Sequence, residues 1–240
     1  MKLLIFDLDG TLLDTLDDLW ASVNHALAQF SLPLRSKCEV RQFLGNGIQA
    51  LVHRSLAAPH GMCQLPATPG DADMSEGEEE FVSPLLEQRV LEVFRRYYLE
   101  HSLDCTRPYP GIGDMLQQCR REGFMTAIVS NKVDAAVREL HRRFFAATID
   151  VAIGEQQPQI RRKPAPDMVF EAMKRLGADK RQSIYVGDSE VDLATARNAG
   201  LPCVAVAWGF RGHEFLAESG AETIIQHPSE LLPAVSQWLQ

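Results

Sequence analysis

The chain has 240 residues, 45% of them hydrophobic and 23% charged, a composition that suits a globular protein of one large domain, or of a core domain with a smaller companion. A formal net charge of −8 argues against nucleic acid as the main partner, because polyanion binders gain affinity by releasing counterions from a basic face. Five widely spaced cysteines (Cys38, Cys63, Cys105, Cys119, Cys203), with no CxxC pair and no histidines at zinc-ligand spacing, predict reduced thiols. The apolar start Leu3 to Phe6 stops after four residues, too short for a signal peptide or for the ~20 residues that span a bilayer. The expectation is a cytoplasmic protein without a membrane partner, monomeric or homodimeric.

In chain order, Leu3 to Phe6 reads as a first buried strand and runs straight into DLDGT, residues 7 to 11. Asp7 and Asp9, one leucine apart at the end of such a strand, repel each other and resist burial, so the pair calls for a cation. Helical periodicity follows over Leu16 to Phe30, Ile48 to Leu56 and Leu85 to Leu99. FLGNG, residues 43 to 47, interrupts two of these runs, and its Gly45, Asn46 and Gly47 would let backbone and amide approach a ligand closely. Pro59 to Pro84 reads as a loop, and DADMSEGEEE at 71 to 80 places six acids in ten positions, the pattern of a solvated segment.

Tyr109-Pro110-Gly111 signals a turn into a helix over Ile112 to Glu122, followed by a second strand at Thr126 to Val129. Ser130 and Asn131 come next, close to a helix expected from about Val133, whose first N–H groups would favour an anion. Ser183 to Val186 and Cys203 to Ala207 complete four short apolar runs that do not alternate with polar residues, as strands buried on both faces do. The fold class is therefore α/β, a Rossmann-like, doubly wound parallel sheet whose ligands bind beyond the carboxyl ends of the strands. Asp7, Ser130, Asn131 and Asp188 all fall at that edge.

From Asp7 to Ser130 the chain advances 123 residues, whereas a strand, crossover helix and strand need about 30 or somewhat more. Roughly 90 residues are surplus and largely helical. An inserted helical domain is expected over 15–104, with the core formed by 1–14 and 105–240.

DLDGT (7 to 11), SNK (130 to 132), KPAPD (163 to 167) and GDSEVD (187 to 192) match, in kind and order, the four motifs of the haloacid-dehalogenase-like hydrolases, which the sequence resembles over nearly its whole length. The helical insert sits where that family's α-helical cap lies. The resemblance implies Mg²⁺-dependent hydrolysis of a small, anionic phosphorylated metabolite through an aspartyl-phosphate. Asp7 suits the nucleophile and Asp9 the general acid and base. Thr11, Ser130, Asn131 and Lys163 suit phosphate binding, Asp7, Asp9 and Asp188 the metal ion, and Asp192 a supporting position on the following helix. Arg161 and Arg162 read as surface charge, and Arg211 as solvent-facing.

Dehalogenases similar to this family lack the second aspartate of the first motif, so Asp9 favours a phosphate ester. FLGNG, Tyr97-Tyr98 and WGFRGHE (208 to 214) look more like bacterial phosphoglycolate phosphatases than like β-phosphoglucomutases. A sugar phosphomutase, a pyrophosphatase of the same fold and a non-catalytic phosphometabolite-binding regulator are the alternatives.

Overall fold

The computed structural model describes residues 1–59, 82–156 and 158–238, and the acidic stretch 71–80 lies outside the described residues. The chain divides into two compact units, Met1–Asp14 with Arg107–Gln240, and Thr15–Thr106.

The first unit is built on six parallel strands: β1 (Leu3–Phe6), β4 (Met125–Val133), β5 (Val151–Glu155), β6 (Ser183–Gly187), β7 (Cys203–Val206) and β8 (Ile224–Ile225). Their order is β5-β4-β1-β6-β7-β8, with β2 (Leu13–Asp14) and β3 (Arg107–Pro108) forming a separate antiparallel pair. β1 lies between β4 and β6, and the chain winds outward from it in both directions, so the strand order reverses beside β1. All four β1 residues are fully buried, which accounts for an apolar run without alternation. On one face of the sheet Leu3, Ile5, Ala127, Val129, Ile153 and Tyr185 pack with residues of α7 (Asp167–Leu176) and α8 (Glu190–Ala199). The other helices of this unit are α5 (Ile112–Arg121), α6 (Asp134–Leu140), α9 (His213–Glu218) and α10 (Leu231–Val235).

Two details differ from the sequence reading. β4 does not stop at Val129 but continues to Val133, so Ser130 and Asn131 lie inside a strand, while α6 begins at Asp134, close to the start expected for that helix. The shift in its pairing with β5 explains why: Val129 pairs with Ile153 and Val133 with Glu155, so four residues of β4 advance against two of β5 in a bulge. Further, β5 and β8 carry too few apolar residues to stand out in the sequence.

The second unit consists of α1 (Leu16–Gln29), α2 (Lys37–Phe43), α3 (Gly47–Ala57) and α4 (Pro84–His101). Leu19, Val23 and Leu27 of α1 and Val90, Leu91, Phe94 and Tyr98 of α4 are buried at the spacing of amphipathic helices. Ser36 caps α2 by accepting from the Glu39 N–H, while Glu39 accepts from the Ser36 N–H in return. No described helix is long and apolar enough to cross a membrane. Cys105, Cys119 and Cys203 are free thiols, whereas Cys38 is disulfide-bonded. That departs from the expected reduced state, because sequence spacing alone does not determine which cysteines meet.

Candidate active site

Asp7 is the first residue beyond β1, and its N–H donates to the Val186 carbonyl of β6 at 2.9 Å. The carboxylate is thereby fixed at the carboxyl end of the central strand, where the strand order reverses and open α/β sheets bind ligands. Gly10 turns the chain with φ of 88°, and a Cβ there would lie 2.3 Å from Asp188 Oδ2. Only glycine allows both that turn and the close approach of Asp188.

Asp7, Asp188 and Asp192, all buried, bring carboxylate oxygens within 4.8 Å of one another. Lys163 Nζ reaches two of the three, Asp7 Oδ1 at 2.7 Å and Asp192 Oδ1 at 2.8 Å. Asp188 accepts from the Thr11 hydroxyl at 3.1 Å and from the Phe210 N–H at 2.8 Å. Asp192 also accepts from the Tyr185 hydroxyl and from the Ser189 hydroxyl and N–H, so it caps α8 and anchors Lys163 together.

The charges do not balance. Burial and the neighbouring Asp192 push the Asp7 carboxyl well above its usual range although Lys163 pulls it down. Burial and Asp192 likewise raise Asp188 to about 7, against the Phe210 N–H and Lys163. Burial disfavours the Lys163 ammonium, but Asp192 and Asp7 outweigh it and hold the lysine charged. Three carboxylates facing one ammonium form a hard-oxygen site that lacks positive charge, and this donor set fits a divalent cation.

Thr11, Ser130, Lys163, Asp188 and Asp192 are all buried. Three residues take other positions than expected. Asp9 is not part of the close carboxylate group: its Oδ2 pairs with Lys132 Nζ at 3.0 Å, while its Oδ1 is buried with no hydrogen-bond partner. Asp192 joins that group instead of standing outside it, because the helix cap turns its carboxylate toward Lys163. Asn131 holds the Lys163 main chain through both amide atoms, Oδ1 accepting from the N–H at 2.7 Å and Nδ2 donating to the carbonyl at 3.1 Å. Its amide thus meets the Lys163 main chain through both of its polar atoms.

Arg211, expected in solvent, has a side chain only 10% exposed and donates to Glu190 at 2.9 Å. The N–H of its neighbour Phe210 donates to Asp188 in the same turn. Arg161 is exposed and paired with Asp167. In the helical unit, Gly45 and Gly47 both take positive φ, 111° and 81°, and Asn46 makes no side-chain cap to α3. Lys132 and Tyr185 are site residues that sequence reasoning missed. Lys132 was visible within SNK, but nothing in the sequence aims it at Asp9.

The chain matches the family profile of the haloacid dehalogenase-like hydrolases over residues 4–206. It is 33% identical over 237 residues to the phosphoglycolate phosphatase of Pseudomonas syringae pv. syringae, covering 97% of this chain and 79% of the relative. It is 33% identical over 234 residues to that of Shigella boydii, covering 96% and 90%. A crystal structure from Lactobacillus delbrueckii subsp. bulgaricus, provisionally assigned as a phosphoglycolate phosphatase, superposes with a TM-score of 0.86 at 38% identity, covering 98% of this chain and 99% of the other. With its central-strand aspartate, buried lysine and paired carboxylates set out in family order, the chain belongs to the haloacid dehalogenase-like hydrolases.

Proposed function

We propose that this chain hydrolyses phosphomonoesters through a phosphorylated Asp7, with 2-phosphoglycolate as the preferred substrate and Mg²⁺ as the ion at Asp7 and Asp188. The observation that carries the reading is the buried excess of carboxylate at the end of β1, three acids to one lysine. Such a site rejects an anionic ester unless further positive charge is present, and a bound Mg²⁺ supplies charge stabilisation for the phosphoryl group. The relatives named phosphoglycolate phosphatase support the choice of substrate.

Lys163 and the Ser130 hydroxyl bind phosphoryl oxygens and orient phosphorus toward Asp7. An Asp7 oxygen bonds to phosphorus as the ester P–O bond breaks. The departing oxygen keeps the electron pair and takes a proton from Asp9. Water then attacks phosphorus, gives its proton to the Asp9 carboxylate, and the Asp7–phosphorus bond breaks to release inorganic phosphate. Thr11 and the Phe210 N–H hold Asp188 in place, and Asn131 holds Lys163. Gly45, Asn46 and Gly47 are assigned to substrate choice.

Phosphate release from 2-phosphoglycolate, measured with Mg²⁺ and with EDTA, tests the reading. EDTA abolishes turnover and added Mg²⁺ restores it, and Asp7→Asn lowers kcat by on the order of 10³-fold or more. Retained turnover in Asp7→Asn overturns the nucleophile. A panel of phosphorylated metabolites that includes pyrophosphate and hexose phosphates, ranked by kcat/KM for the parent and Asn46→Ala, tests substrate and loop together.

A further inference from the structure

β4 carries one charged side chain into the interior that the mechanism above does not use. Lys132 has a side chain 4% exposed, and its ammonium sits 3.0 Å from Asp9 Oδ2. Ser130 and Lys132 are both buried while Asn131 between them is half-buried and Val133 is 52% exposed, so alternation along the strand sends the lysine inward. A buried ammonium is costly unless paired, and Asp9 provides the pair.

The strand segment that presents Lys132 is fastened. The bulge between Val129 and Val133 is held by Asp134, whose Oδ1 accepts from the Gly154 N–H at 3.0 Å and from Gln156 Nε2 at 2.9 Å. A Cβ on Gly154 would lie 2.7 Å from the Lys132 carbonyl and 2.4 Å from Asp134 Cα, so β5 lies directly against this turn of backbone. The Lys132 N–H in turn donates to Ser130 Oγ at 3.2 Å. With Oδ2 held by the lysine, the oxygen of Asp9 left without a partner is Oδ1, and it is buried.

We propose that Lys132 is a positioning residue for proton transfer: it holds Asp9 by Oδ2 so that Oδ1 is the oxygen that exchanges a proton with the leaving group. The inference rests on the reading of Asp9 as general acid. A carboxylate anchored at one oxygen cannot swing about its two side-chain torsions, and small misplacement of a catalytic group is expensive in rate. The effect is confined to leaving groups that need a proton.

The experiment follows leaving-group release in single turnovers with Mg²⁺ present, for 2-phosphoglycolate and for p-nitrophenyl phosphate, whose phenolate departs unprotonated. Lys132→Met slows release from the alkyl ester by about 10- to 100-fold and from the aryl ester by no more than about threefold, with KM nearly unchanged. Lys132→Arg, which keeps the charge on a different frame, falls between Lys132→Met and the parent and carries the same test if Lys132→Met does not fold. An equal loss on both esters, a change in KM alone, or no loss at all overturns the inference. Asp9→Asn is the control for the underlying reading. If it shows the alkyl–aryl split and the Lys132 variants do not, the lysine assignment fails alone. If Asp9→Asn shows no split, the general-acid reading fails with it.

Discussion

Two buried polar clusters, one in each unit, look alike in burial and differ in balance. In the helical unit Arg35 is 2% exposed, yet its guanidinium donates to the Ser55, Ala58 and Pro59 carbonyls and to Glu39, four acceptors for its five N–H groups. Asp18, also buried, accepts from the Cys105 N–H, the Thr106 N–H and the Thr106 hydroxyl. In the sheet unit three carboxylates lie close together, only two of them are in contact with Lys163, and Asp7 and Asp188 are pushed up in pKa. Satisfied burial ties helix ends to loops, whereas unsatisfied burial stores an appetite for charge, and the second kind is where chemistry is placed.

That contrast can be broken most forcefully at Lys163. Lys163→Met leaves the carboxylates with no buried cation and costs about 3–5 kcal/mol of stability, read by urea unfolding without divalent ions. Part of that loss returns with Mg²⁺ in the unfolding buffer, and failure to return it would detach the metal from the acidic cluster. In the helical unit, Asp18→Ala strands the Thr106 and Cys105 donors and costs about 1–3 kcal/mol by the same measurement, with no recovery on adding Mg²⁺. A recovery there would erase the distinction between the two clusters.

The smallest effect is the pH dependence of stability without divalent ions. Asp188 has its carboxyl raised from 3.8 to about 7 in the folded chain, and Asp7 is raised in the same direction. The folded state therefore binds more protons than the unfolded one between these values. This stabilising contribution is complete below about 4 and fades as pH rises through about 7. Unfolding free energy in EDTA should fall across that interval, and the slope should flatten in Mg²⁺. A rise with pH would contradict the desolvated cluster.

Much of this was legible from residue order. β1, β6 and β7 stand out because central parallel strands are apolar throughout, Asp7 and Asp188 stand out because they directly follow β1 and β6, and Lys163 stands out within KPAPD. What stayed hidden depends on three-dimensional partners. Asn131 carries an amide that suits phosphate equally well on paper, and only the fold shows both of its atoms on the Lys163 backbone. The pairing of Lys132 with Asp9 joins two distant segments of the chain, which no local residue pattern announces. Asp192 looks like any first-turn acid of a helix until Lys163 and Tyr185 are seen to converge on it.

The short ladder in which Leu13 faces Pro108 and Asp14 faces Arg107 sets the chain's departure from the sheet unit beside its return. The sheet therefore experiences the whole intervening segment as a single tether of nearly zero span. A longer or shorter insertion at that gate changes closure entropy only logarithmically. The hydrolytic scaffold is in this sense modular: what is threaded between Asp14 and Arg107 can be exchanged without asking β1 to move.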